Sequence, residues 1–128
     1  MIVTCTTNVG RLAFLKGELN SSIVYKLALY TKDAKLDKKT AVYTPKGEVV
    51  GQKYEIKTLG TPVYGIDEET DLAYLHFPEP VIWQGSTIAA DGCLIFTDKL
   101  TVYVGAFAST ISSTNDSFTL TPSKISFK

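Results

Sequence analysis

The sequence contains few of the side chains that most often carry catalysis or bind metal ions. Its 128 residues include one histidine, two cysteines and one tryptophan. A catalytic triad or a zinc site needs more nitrogen and sulfur donors than this set supplies. We therefore expect that the chain is not an enzyme, and we interpret His76 as an ordinary strand histidine on an outer face.

The cysteines, glycines and carboxylates also lack the spacings of familiar cofactor sites. Cys5 and Cys93 match no metal or redox motif, so we expect two buried thiols, although the sequence leaves a disulfide between them open. The glycines stand singly, without the Gly-Lys-Ser/Thr element that binds phosphates. Carboxylates crowd residues 67–71, but without the ordered spacing of a calcium loop, so a solvated loop is favoured over a loose calcium site. We expect no cofactor and no metal.

The chain has no net charge and no long apolar run. Thirteen basic side chains balance thirteen acidic ones, so no overall field attracts nucleic acid or anionic lipid. The apolar runs are strand-sized and shorter than the roughly 18 residues that cross a bilayer. Residues 1–11 show no basic leader followed by an apolar stretch, so we expect no secretory signal, no membrane partner and synthesis in a cytoplasm.

The residues that are present predict a single β-rich domain spanning residues 1–128. Apolar residues make up 45% of the chain and charged residues 20%, which is typical of a globular domain with one core. Period-two alternation recurs in short segments separated by turn residues. The expected fold is all-β, an antiparallel β-sandwich or small barrel of about seven or eight strands with one short N-terminal helix.

Individual segments give more specific expectations. Residues 11–19 predict one or two helical turns, with Leu12, Leu15 and Leu19 at helical spacing. Residues 23–31 predict a half-buried strand, residues 86–96 a central strand with a bulge at 91–92, and residues 100–108 a second buried strand with alternate residues on one face. The residues that we expect in the core are Leu27, Leu29, Leu75, Ile95, Val102, Val104 and Phe118.

The remaining segments are interpreted as connections or edge strands. Residues 32–39 are charged and predict a solvated loop, and residues 109–116 predict a polar turn before a returning strand at 117–121. Residues 40–44 and 48–54 predict short extended pieces around the turn at 45–47, where Gly51 indicates a bulge or a close approach. Residues 125–127 predict an edge strand. Trp83 is either a core residue, which its apolar neighbours favour, or an exposed anchor for a partner.

Five segments carry a recognisable combination of motifs, namely YKLALYT (25–31), EVVGQKY (48–54), STIAADGCLIF (86–96), VYVGAF (102–107) and SSTNDSFTLTP (112–122). Together they resemble a group of small structural proteins of tailed bacteriophages. The resemblance covers roughly residues 11 to 122 and departs from the family pattern at 55–60, where a glycine pair and an apolar strand are usual, and at Asp116, where a turn glycine is common.

The resemblance implies a non-enzymatic virion protein made in the bacterial host cytoplasm. The first expectation is a capsid decoration, or cement, protein that binds the major capsid protein. The alternative is a tail, collar or baseplate accessory that anchors a fibre, and a small hydrolase or carbohydrate-binding module is less favoured. The expected partners are other virion proteins, with self-association left open. Because loops on a rigid β scaffold carry contacts, the predicted contact residues are Lys35, Lys38, Lys39, Tyr64 and Trp83.

Overall fold

The computed structural model describes residues 1–20 and 22–127, and these residues form eight strands and one helix. The fold is all-β and sandwich-like, as predicted. In chain order the elements are β1 (Cys5–Thr6), α1 (Asn8–Leu15), β2 (Lys26–Tyr30), β3 (Lys57–Thr58), β4 (Val63–Asp67), β5 (Leu72–His76), β6 (Val81–Phe96), β7 (Thr101–Leu120) and β8 (Ile125–Phe127).

Two antiparallel sheets build the sandwich. The larger has the strand order β1-β7-β6-β2-β3, and the smaller has the order β4-β5-β8. The long strands β6 and β7 form the centre of the larger sheet, where β6 also pairs with β2 from Gly92 to Phe96. This position confirms the predicted central strand at 86–96. The predicted edge strand at 125–127 is also confirmed, because β8 lies at the edge of the smaller sheet and pairs with β5.

The inner core, defined as the cluster between the two sheets, contains most of the large apolar side chains. Leu27 and Leu29 of β2 pack there with Leu75 of β5 and Ile125 of β8. All seven residues predicted in the core are buried. The apolar faces of both sheets are therefore removed from water together, which is the main favourable contribution to folding of such a sandwich.

An outer core covers the opposite face of the larger sheet, and the sequence analysis missed it. It contains Ala28 and Tyr30 of β2, packed with Ala34 and Leu36 from the segment that follows. β2 is consequently buried on both faces, so the prediction of a half-buried strand was wrong. Residues 32–39 are likewise more than a solvated loop, because Leu36 bridges to Ile2 and is fully buried.

The predicted polar turn at 109–116 was wrong, because these residues belong to the 20-residue strand β7. Their side chains are mostly exposed, but their backbone pairs with β6, as in the match of Ala89 with Ser112. The predicted single face of the strand at 100–108 was also wrong. A register shift between Ile95 and Phe96 inserts one residue of β7, so Val102 lies in the inner core and Val104 in the outer core.

The helix begins and ends earlier than predicted. Thr7 caps its N-terminus by accepting a hydrogen bond from the Gly10 backbone N–H at 3.0 Å. Gly17, with a φ of 72°, lies just beyond the end. The helix faces β7 with Gly10 and Ala13, while Leu12 and Leu15 are exposed. The spacing of the three leucines therefore did not mark the buried face of the helix, since only Leu19, beyond the end of the helix, is buried.

The bulge, the close approach and the extended piece predicted around residues 91–92 and 48–54 are found only in part. A register shift does lie between Ala90 and Gly92, where a bulge was predicted, but the extra residues, 107–110, belong to β7 and lie opposite Asp91. Gly51 approaches β6 closely, since a Cβ atom there would lie 2.2 Å from the Thr87 carbonyl oxygen. Residues 48–54 nevertheless form only isolated bridges, through Glu48 and Gln52, and not a regular strand.

Candidate protein-binding surfaces

Trp83 is a core residue, which confirms the interpretation that its apolar neighbours favoured, and its burial contradicts the alternative of an exposed contact residue. Only 1% of its surface is exposed, although apolar and charged neighbours line an open groove above it. Its indole N–H donates to the Glu55 carbonyl oxygen at 2.8 Å, and its ring packs edge-on against Phe118 at 5.6 Å. Alternation at the start of β6 explains this burial, because Val81 and Trp83 reach the inner core while Ile82 between them is exposed.

Tyr64 lies at the surface on β4. It is opposite Leu75 of β5, so its side chain is on the inner face of the smaller sheet, where its hydroxyl donates to the Leu19 carbonyl oxygen at 3.1 Å. Ile66 follows on the same face, opposite Ala73, but is 68% exposed. The end of the β4–β5 hairpin thus presents apolar side chains that the larger sheet does not cover.

Four carboxylates lie at the end of this hairpin, with Asp67 as the last residue of β4 and the other three in the turn that follows. The Asp67 side chain accepts hydrogen bonds from the backbone N–H groups of Glu69 and Thr70, at 3.0 and 3.4 Å, which fixes the turn. Glu68, Glu69 and Asp71 are exposed. We call residues 64–71, with these carboxylates and the exposed Tyr64 and Ile66, the hairpin tip.

The three predicted lysines are exposed on the segment that covers the outer core. Buried Leu36 holds this segment to the sheet, and the Lys38 carbonyl oxygen accepts a hydrogen bond from the Asn8 N–H at 2.8 Å. Lys38 and Lys39 border a cavity of about 350 Å³ whose other walls are Val3, Cys5 and Asp37. We call this cavity the lysine groove. Lys35 is exposed on the same segment outside the groove.

The charges around the lysine groove act on the thiol of Cys5. Burial raises the pKa of this thiol, the Asp37 carboxylate raises it further, and the cations of Arg11 and Lys38 oppose both effects. Arg11 is held beside the groove by a hydrogen bond from its Nε to the Thr6 hydroxyl at 2.9 Å. Arg11, Lys38 and Lys39 therefore outnumber the single carboxylate of Asp37, and the groove is positively charged.

The structure does not bring the predicted contact residues together. Cys5 and Leu36 belong to the outer core, so the lysine groove lies on the outer face of the larger sheet. Tyr64 belongs to the smaller sheet, which packs on the inner face through Leu75. The two surfaces are consequently on opposite sides of the sandwich, and Trp83 is buried in the inner core.

A tyrosine and carboxylate network was missed by the sequence analysis. The Glu48 carboxylate accepts hydrogen bonds from the hydroxyls of Tyr43 and Tyr54, and the Tyr54 hydroxyl in turn accepts from the Leu29 N–H at 3.1 Å. Burial, followed by the bond to Glu48, raises the pKa of Tyr43 to about 12. These bonds tie the 43–54 segment to β2, and we interpret them as structural.

Within residues 1–20 and 22–127, no three His, Cys, Asp or Glu side chains are grouped to hold a metal ion. No helix in that part of the chain is both long and apolar enough to cross a bilayer. His76 is half-buried on β5, and its Nδ1 has no hydrogen-bond partner among the described residues.

In comparisons with known proteins, no family model, curated protein or solved structure matches this chain.

Proposed function

We propose that this chain is a non-enzymatic structural protein of a virus particle, and specifically a decoration protein that binds the major capsid protein of a tailed bacteriophage. The virion assignment comes from the sequence resemblance over roughly residues 11 to 122. One observation from the fold supports the proposal. The sandwich has two cores, and each of two opposite sides carries a charged surface with exposed apolar side chains.

The two surfaces suit a protein that holds others together. The hairpin tip exposes Ile66 beside carboxylates, and the lysine groove exposes Val3 beside cations. Apolar area with a charged rim is the usual composition of a protein-binding patch, since burial supplies affinity and the charges supply orientation. Both patches are held by the sandwich, so little conformational entropy is lost on binding.

The number of copies in each particle tests the proposal. Particles of the virus that encodes this sequence would be purified, and the chain would be quantified against the major capsid protein by mass spectrometry with labelled peptide standards. A decoration protein follows the symmetry of the shell, so the expected ratio corresponds to copies on the order of hundreds. Absence of the chain from the particles would contradict a virion role.

The same measurement distinguishes the capsid from the tail. A tail, collar or baseplate accessory follows the symmetry of the tail and is expected at roughly ten copies. The lysines test the mode of binding in the same particles. Lys35→Glu should leave incorporation close to that of the parent, whereas Lys38→Glu with Lys39→Glu should reduce it, because only the latter pair borders the groove.

A further inference from the structure

The hairpin tip and the lysine groove complement each other in both charge and apolar content. Ile66 is uncovered at the tip, and Val3 is 44% exposed at the groove, whose cavity of about 350 Å³ is large enough to admit an aliphatic side chain. The tip is acidic and the groove is basic. The ion pairs found within the described residues use neither set, since they join Lys26 to Asp98 and Lys57 to Glu55.

We propose that the hairpin tip of one copy of this chain docks in the lysine groove of a second copy. Ile66 would occupy the cavity against Val3, and Glu68 and Glu69 would face Lys38 and Lys39. Opposite charges at the rim orient the two partners, and the apolar contact between them removes surface from water.

The contact has to be made between molecules. Within one chain the larger sheet separates the tip from the groove, because the groove lies over the outer core and the tip extends from the smaller sheet. The two patches are different surfaces, so the contact is head-to-tail and each bound copy still offers a free tip and a free groove. Copies therefore add into rings or chains.

The charge balance of the chain favours a second copy as the partner. The net charge is zero, so copies do not repel one another overall, and the carboxylates of the tip and the lysines of the groove lie on different surfaces of the molecule. Each chain thus carries both halves of one complementary interface. Pairing between copies needs no particle, so it can hold or fail independently of the proposed virion role.

Sedimentation velocity of the purified chain over a concentration series tests the pairing. The weight-average mass should rise with protein concentration and fall between ~0.05 M and ~0.5 M salt, since salt screens the charges at the rim. Two double variants each reverse the charge of one of the two surfaces. The groove variant carries Lys38→Glu and Lys39→Glu, and the tip variant carries Glu68→Lys and Glu69→Lys. Each alone should associate at least about tenfold more weakly than the parent.

Mixing the two variants restores every contact. The basic tip of one variant meets the acidic groove of the other, and the unaltered tip and groove also match. The equimolar mixture should therefore associate like the parent, as should a chain that carries all four substitutions. A control with Lys46→Glu and Lys53→Glu makes the same charge change at exposed lysines outside the groove and should associate like the parent.

Several results would overturn the proposal. These are a parent chain that stays monomeric at every concentration, a groove variant that associates like the parent, and a control that loses association as the groove variant does. Folded variants whose mixture stays monomeric would overturn it as well, with circular dichroism used to establish folding. None of these results bears on copy number in particles, which tests the virion role separately.

Discussion

Replacing Trp83 should be among the most destabilising single changes in this chain. Its side chain is 1% exposed, packs against Phe118 and Tyr54, and donates a hydrogen bond to the Glu55 carbonyl oxygen. Truncation of a buried tryptophan to alanine costs about 3–5 kcal/mol, from lost burial and from the cavity that remains. Trp83→Phe keeps an aromatic ring but loses the hydrogen bond, so it should cost about 1–3 kcal/mol.

Urea unfolding followed by far-ultraviolet circular dichroism measures both changes. With a slope of about 2 kcal/mol per molar, Trp83→Ala should lower the midpoint by about 2 M and Trp83→Phe by about 1 M. Ile82→Ala is the matched control, because Ile82 is the neighbouring residue on the water-facing side of β6, and it should cost less than about 1 kcal/mol. If both Trp83 variants unfold within about 0.5 kcal/mol of the parent, the assignment of Trp83 to the core is refuted.

The other predictions concern the inner core, the tyrosines and the thiols. Leu29→Ala should lower the free energy of unfolding by about 2–5 kcal/mol in the same urea assay, and a loss below about 1 kcal/mol would contradict its place in the core. Burial, reinforced by Glu48, raises the pKa of Tyr54 above the ordinary value, so the unfolded chain loses this proton first and stability should fall as the pH rises above about 10. Tyr54→Phe should make that fall shallower, and an unchanged pH profile would contradict the tyrosine assignment. Burial raises the pKa of Cys93 to about 12, so an alkylating reagent should modify only Cys5 in the folded chain, and rapid modification of both thiols would count against the burial of Cys93.

The inner core could be predicted from the sequence because alternation reports directly on one buried face. Leu27, Leu29 and Leu75 stand at every second position of their strands, and all of them are buried between the sheets. The outer core could not be predicted in this way. Tyr30 and Ala28 occupy the alternate positions, where a tyrosine and an alanine are equally compatible with water or with the covering segment around Leu36.

The cysteines also show that the sequence alone does not establish which face of a sheet a residue occupies. Sequence reasoning predicted two buried thiols and left a disulfide between them open, and the register of the sheet shows where each thiol lies. Cys5 is opposite Val104 and packs on the outer core, while Cys93 is opposite Gly105 and lies in the inner core, so the two free thiols are on different faces of one sheet. Cys5 is only half-buried, which corrects that part of the prediction.

The candidate surfaces were predictable only in part, because exposure of an apolar side chain depends on what the rest of the fold covers. Tyr64 and the lysines were identified from loop chemistry, and they are exposed. Ile66 was not identified, because no strand was predicted at 63–67 and the structure places it on β4. Only the register with Ala73 reveals that it points inward beyond the reach of the larger sheet.

The prediction of a turn at 109–116, within strand β7, was wrong because the composition of this segment is typical of a turn whereas its backbone pairs as a strand. Serine, threonine and asparagine between positions 109 and 115 are typical of a turn, and their exposed side chains fit that reading. Pairing with β6 keeps the segment extended, and register shifts opposite Asp91, near Asn115 and between Ile95 and Phe96 absorb the extra residues of the longer strand. Such bulges bend an otherwise open strand edge, which makes extended pairing with another chain less favourable there. Docking between copies is for this reason assigned to the hairpin tip and the lysine groove, where side chains rather than backbone groups supply the contact.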